Sequence, residues 1–164
     1  MAQNRAGGLV VNVQWDEMIV LINDGLLPIV ERQWNESGMP GAKLHVDWPR
    51  YQMLETEGVM KWVSFRDEGK LVGYATIFLT HPLHHKDDMT GMVDSIYLMP
   101  EARKGSAGLS AISRIEEMLE DVGVNIALFY VRDFVSEDRG GVGKILERKG
   151  FNRLESGWMK RLGA

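Results

Sequence analysis

Val93-Asp94-Ser95-Ile96-Tyr97-Leu98-Met99-Pro100-Glu101-Ala102-Arg103-Lys104-Gly105-Ser106-Ala107-Gly108-Leu109 runs from an apolar strand pattern, through a proline, into a basic loop of small residues and a helix start. Loops of this kind hold phosphate, because backbone N–H groups point outward and the helix dipole favours negative charge. Arg103 and Lys104 add two cationic side chains at the same place. The stretch therefore predicts a phosphorylated ligand held at a strand–loop–helix joint.

Downstream, Leu109, Ile112, Ile115, Met118, Leu119 and Val122 recur at mostly three- and four-residue steps, and Gly123 stands where such a helix ends. The apolar run Asn125–Val131 has no alternation, the pattern of a strand buried on both faces. Strand, helix and strand make a βαβ unit with parallel strands and a right-handed crossover. After a loop at 132–141, Val142–Lys149 reads as a short helix stopped by Gly150, and Leu154 with Trp158–Leu162 reads as a last strand.

Upstream, Lys61–Arg66 and Leu71–Thr80 flank the turn Asp67-Glu68-Gly69-Lys70, which predicts a hairpin. A polar loop with three histidines covers 81–91, and Gly91–Met99 is the next strand, so 61–99 reads as an antiparallel meander. Trp15, Met18, Ile19, Ile22, Leu26 and Leu27 predict two short helices over 15–37, capped by Asn12 or Asp16 and broken near Gly25 and Pro28. Residues 38–50 read as loop, and Tyr51–Glu57 as one more helical turn. Residues 1–13 read as a loose lead-in.

The 164 residues predict a single domain: the lead-in, N-terminal helices and loop over 15–57, and a ligand-binding core over 58–164. A net charge of −4 argues against a general nucleic-acid binder, although Lys144, Arg148, Lys149, Arg153, Lys160 and Arg161 can form a local basic face. The absence of cysteine excludes disulfides, thiolate metal sites and a Cys nucleophile. No signal peptide or membrane-spanning run is read, so a cytoplasmic protein is expected. Arg139-Gly140-Gly141-Val142-Gly143-Lys144 lacks the first glycine and the final Ser or Thr of a nucleotide-binding P-loop: Asp138 and Ile145 stand there.

Meander, βαβ unit, short helix and final strand together resemble the GCN5-related N-acetyltransferase (GNAT) family, a mixed α/β (α+β) fold with a twisted mixed sheet flanked by helices. Tyr97–Arg103 resembles that family's strand-and-proline entry to its acetyl-CoA loop. Arg103-Lys104-Gly105-Ser106-Ala107-Gly108 resembles its R-x-x-G-x-G/A signature, and Lys144–Phe151 its last helix with a Gly-Phe ending. The histidine-containing loop before the signature strand is similar to that of compact bacteriophage-type members. Ser106 replaces a preferred glycine, and Gly105 is placed to supply a positive φ instead. Leu146 stands where the family often carries a proton-donating tyrosine, and Gly140 near where it carries an asparagine.

The resemblance implies acyl transfer from acetyl-CoA to a small-molecule or protein amine, with Leu98, Met99, Arg103, Lys104, Gly105, Ser106, Ala107, Gly108 and Leu109 holding the co-substrate. It implies that the Leu98 N–H polarises the thioester carbonyl. An alkylammonium of pKa near 10.4 must lose a proton to attack, so a general base is useful. Asp94 is the first candidate: even spacing puts it on one face with Ile96 and Leu98, and burial would raise its pKa. A structural aspartate at a strand end is the alternative. His84, within His81, His84, His85, Asp87 and Asp88, is a candidate for substrate binding or proton transfer, and no metal site is expected in that loop. Tyr130 is the candidate for protonating the leaving thiolate, with a core tyrosine as the alternative. Trp15, Trp34 and Trp48 are candidate walls of an acceptor site. A non-catalytic GNAT-fold protein that binds CoA or a protein partner is the competing function, and an exposed strand or the N-terminal helices leave room for a homodimer.

Overall fold

The computed structural model describes residues 11–131, 141–155 and 157–162. The elements are β1 (Asn12–Asp16), α1 (Met18–Asn23), α2 (Leu26–Ser37), α3 (Trp48–Thr56), β2 (Met60–Asp67), β3 (Lys70–Thr80), β4 (Thr90–Leu98), a 3-10 turn (Pro100–Ala102), α4 (Ala107–Asp121), β5 (Ile126–Phe129) and α5 (Val142–Arg148). One sheet runs in the order β1-β2-β3-β4-β5. Its first four strands are antiparallel and β5 lies parallel to β4, which gives the expected mixed sheet and βαβ unit. Among the described residues no helix is long and apolar enough to cross a membrane.

The hairpin between β2 and β3 forms because Glu68 and Gly69 both take positive φ (48° and 83°), the twist a two-residue turn requires. Helix α4 ends as its sequence predicts: the Gly123 N–H donates to the Glu120 carbonyl and the Val124 N–H to that of Leu119. Helix α5 ends the same way, and Phe151 then packs edge-on against Phe129 of β5 at 5.2 Å. The Gly-Phe ending thus pins α5 to the sheet.

Cross-strand partners share a sheet face. One face carries Trp62, Tyr74 and Tyr97, and it receives α2 and α3: Gln33 accepts from the Tyr74 hydroxyl, Trp48 stacks on Trp62, and Tyr51 meets Trp62 at a tilt. The other face receives α4, whose Leu119 lies against Gly91. Ala111, Ile112, Ile115, Met118 and Leu119 of that helix are buried.

Four expectations are corrected. Trp15 belongs to β1, not to a helix: Val13 and Trp15 alternate on one face and pair with Phe65 and Val63 of β2. Asn12 and Asp16 therefore cap nothing; Glu17 precedes α1 without a side-chain cap, and Asp16 binds Arg66. Second, β5 is half-buried throughout rather than enclosed, because nothing pairs with its outer edge among the described residues. Third, residues 157–162 form no strand, and Trp158 is 97% exposed. Helix α3 begins at Trp48, earlier than Tyr51, because Asp47 caps it by accepting from the Arg50 N–H and Pro49 suits its first turn. The loop expected at 132–141 lies, apart from Gly141, outside the described residues.

Candidate functional site

The C-terminal end of β4 is gripped on one side only. Gly73 of β3 stands opposite Leu98, so close that a Cβ on Gly73 would strike the Tyr97 carbonyl oxygen and lie 2.9 Å from the Leu98 Cα. The next pair, Val72 and Met99, is joined by Met99 N–H to Val72 carbonyl at 2.9 Å. Antiparallel pairs alternate between bonded and unbonded, so Leu98–Gly73 is an unbonded pair and the Leu98 N–H and carbonyl point away from β3. On that outer side β5 pairs only with Thr90–Val93, and its last backbone bond runs from the Tyr130 N–H to the Val93 carbonyl at 3.1 Å. The Leu98 N–H therefore opens into the wedge where β4 and β5 part. Arg103 Nε occupies the Leu98 carbonyl at 2.6 Å and leaves the amide alone.

The loop beyond is built to present amides. Gly105 takes φ +58°, which leaves Ser106 at an unstrained φ of −95°; the glycine one place early does supply the left-handed turn. Ser106 precedes α4 but makes no side-chain cap bond. Among the described residues the amides of Lys104, Gly105, Ser106, Gly108 and Leu109 find no partner, whereas Ala107 donates to the Lys104 carbonyl. Five open donors at the positive end of a 15-residue helix fit a pyrophosphate.

Besides Ala107, two more of the expected co-substrate ligands are otherwise engaged. The Met99 amide serves the β3–β4 ladder, and Met99 is buried. Arg103 turns away from the loop: Nη2 donates to Glu36 at 2.7 Å and the guanidinium lies 5.1 Å from the Tyr97 ring centroid. Helix α2 supplies this whole layer. Tyr97 donates to Glu36 at 2.5 Å, and Arg32 grips Glu101 through both terminal nitrogens at 2.8 and 2.9 Å. Burial, then the Glu36 carboxylate, pushes the Tyr97 phenol up to about 12. The hydrogen bonds from Arg32 hold Glu101 down at about 2. Arg32 and Glu36, four residues apart on one helix, were the only sequence signal of this clamp.

Asp94 is placed differently from the expectation. Thr76 of β3 pairs with Ser95 and Ile77 with Val93, so Asp94 is the extra residue of a β-bulge. The bulge resets the alternation: Ile96 and Leu98 fall on the face of Val93, and Asp94 does not share it. It lies near Tyr51 and Tyr74 on the α3 side, where burial first and the Asp94 charge second push the Tyr51 phenol up. Asp94 is exposed, so the buried-carboxylate argument fails.

His84 lies in the loop joining β3 to β4, at the far end of the sheet from Leu98. Eight residue steps of strand separate Thr90 from Leu98, about 27 Å. His84 therefore does not reach the same site. The concavity of about 480 Å³ lined by Leu83, His84, His85, Lys86, Asp87 and Asp88 belongs to that loop alone. Tyr130, by contrast, sits at the mouth of the wedge and is 50% exposed, so it is no core tyrosine. Leu146 is buried and Lys149 is drawn from the basic face to Glu116 at 2.6 Å.

Many solved structures share this architecture. Ribosomal-protein-alanine N-acetyltransferase from Brucella melitensis biovar Abortus 2308 is 15% identical with a TM-score of 0.69, covering 93% of this chain and 99% of its own. A predicted acetyltransferase with acetyl-CoA from Clostridium acetobutylicum is 12% identical with a TM-score of 0.66, over 93% and 96%. Glucosamine-6-phosphate N-acetyltransferase from Arabidopsis thaliana is 11% identical with a TM-score of 0.67, over 94% and 99%. No curated protein sequence matches the chain. The family model described as the acetyltransferase (GNAT) family matches residues 24–149, a span that includes the Leu98 wedge and the amide loop; the chain is an N-acetyltransferase that belongs to this family.

Proposed function

We propose that the co-substrate is acetyl-CoA, with its pyrophosphate on the amides of Lys104, Gly105, Ser106, Gly108 and Leu109 and its thioester in the wedge between β4 and β5. The open Leu98 amide carries this reading. It is a backbone donor at a strand end that neither neighbouring strand uses, placed to stabilise negative charge on a carbonyl oxygen. When bound, acetyl-CoA supplies an activated acyl group for direct transfer to an amine.

The chain's own residues do the rest. The amide loop and the helix dipole bind the phosphates. The Leu98 N–H polarises the carbonyl, and Tyr130, exposed at the wedge mouth, protonates the departing thiolate in place of a donor at Leu146. The Asp94 carboxylate faces the opposite approach, from the α3 side, and receives the acceptor. We read the histidine loop as support for a compact bacteriophage-type member, and the cysteine-free chain as support for the cytoplasm.

Calorimetry with acetyl-CoA, followed by thiol release with a panel of amines, tests the reading. Saturable binding and acceptor-dependent thiol release are expected. No binding at near-millimolar acetyl-CoA overturns it.

A further inference from the structure

Asp94 sits beside an aromatic box. Trp48 and Tyr51 of α3 have ring centroids 6.1 Å apart, Tyr51 lies 5.3 Å from Trp62, and Trp62 lies 5.7 Å from Tyr74. Trp48 and Tyr51 are partly exposed, whereas Trp62 is buried as the floor. Aromatic faces next to a carboxylate are the chemistry that recognises an organic cation. Among the described residues Asp94 makes no hydrogen bond or ion pair. The Asp94 carboxylate thus has no cationic partner among the described residues.

A second observation lies in the same strand rows. Among the described residues, Trp62 Nε1 and Thr76 Oγ1 are buried side-chain polar atoms without a hydrogen-bond partner. They belong to directly paired residues, and Thr76 pairs in turn with Ser95, next to Asp94. Buried polar groups are ordinarily satisfied, so two orphans in one row mark a place where a polar partner belongs.

The distance along β4 sets the acceptor's length. Four residue steps separate Asp94 from Leu98, about 13 Å of strand and a little less with the bulge. A carboxylate that far from the acyl carbonyl does not hold the reacting nitrogen; it holds another part of the same molecule. We propose, resting on the acetyltransferase reading, that the acceptor is a polyamine-like dication, one cationic group held over Trp48 and Tyr51 by Asp94 while a second nitrogen, roughly 10 Å away, reaches the Leu98 wedge. An acceptor bearing a phosphate or carboxylate at the far end meets Asp94 with no cation among the described residues to offset it, and is rejected.

The test compares spermidine, n-butylamine and glucosamine 6-phosphate, by tryptophan fluorescence and calorimetry on the CoA-loaded protein and by thiol release with acetyl-CoA. Spermidine is expected to bind and to be acetylated with kcat/KM at least about tenfold above both others. Tyr51→Leu and Asp94→Asn each raise its Kd and KM about tenfold with acetyl-CoA binding unchanged, and Tyr51→Phe restores the wild-type values. Spermidine binding without thiol release keeps the dication site and removes the catalytic reading. Equal or better use of n-butylamine or glucosamine 6-phosphate overturns the dication site while leaving the enzyme intact. Failure of spermidine to bind, or binding insensitive to both substitutions, also overturns it.

Discussion

Arg103 and Glu36 hold each other at 2.7 Å across the gap between the phosphate-type loop and α2. Both side chains are more than a third exposed, so the pair contributes under about 1 kcal/mol to stability. Its importance is directional. Glu36→Gln weakens Arg103's anchor and frees the guanidinium to swing toward a phosphate. Acetyl-CoA binding is expected to tighten a few-fold in calorimetry, while the melting temperature falls only slightly. In the same variant the Tyr97 phenol, which burial raises first and Glu36 second, keeps the burial part of its rise and loses only the part from the Glu36 charge, and tyrosinate absorbance on alkaline titration reads the difference.

Gly105 holds φ +58° at the point where the loop turns into α4. Gly105→Ala forces a side chain into the left-handed region at a cost of about 1 kcal/mol. Urea denaturation checks that figure. The amides of Ser106 and Gly108 are displaced together, so acetyl-CoA affinity is expected to fall at least about tenfold. Ser106→Gly, by contrast, leaves affinity unchanged, because Ser106 already sits in an ordinary conformation.

Leu98 donates nothing to the β3–β4 ladder, so a proline there deletes one amide without breaking a strand bond. Leu98→Pro is expected to lower kcat about a hundredfold with little change in acetyl-CoA Kd. Leu98→Ala, which keeps the N–H and loses the buried side chain, serves as the stability control and retains most of kcat. Equal kcat for the proline and alanine variants removes the amide from the reaction.

Arg66 joins β2 to β1 and to the end of α1, with Asp16 and Asp24 at 2.8 and 2.7 Å. Burial raises the Asp16 carboxyl, but hydrogen bonds from Arg66, Ser64 and Gln14 outweigh it and hold it below the usual value. A folded-state pKa below the unfolded one stabilises at higher pH, and the gain is lost as pH falls through the folded value. The stability difference between wild type and Asp16→Asn should therefore be full at neutral pH and shrink below about pH 4. Arg66→Leu strands two carboxylates and costs about 2 kcal/mol at neutral pH, measured by denaturant unfolding.

What the sequence discloses and what it hides divide along local and non-local lines. The Asp67–Lys70 turn, the apolar stripe of α4 and the glycine endings at Gly123 and Gly150 are each decided within a few residues, and all form as read. Strand β1 is five residues long and defined by β2, fifty residues away; its Trp15 stands three positions before Met18, which mimics helical spacing. The bulge at Asp94 is a mismatch between two strands, so alternation along one of them puts Asp94 on the wrong face. The phosphate-type loop was legible because small residues dictate its backbone. Arg103's engagement was not, because its partners Glu36 and Tyr97 come from α2 and β4.

The contact at Gly73 has a consequence for how the Leu98 amide acts. A dipole helps a reaction only if it already points the right way when charge appears; one that must turn first spends its effect on its own reorientation. Leu98 has lost β5 on one side and is pressed against backbone, not against a pliant side chain, on the other. The missing side chain at residue 73 thus makes the donor stiff at the same point where the parting strands make it available, so its alignment is preset by the sheet before any substrate arrives.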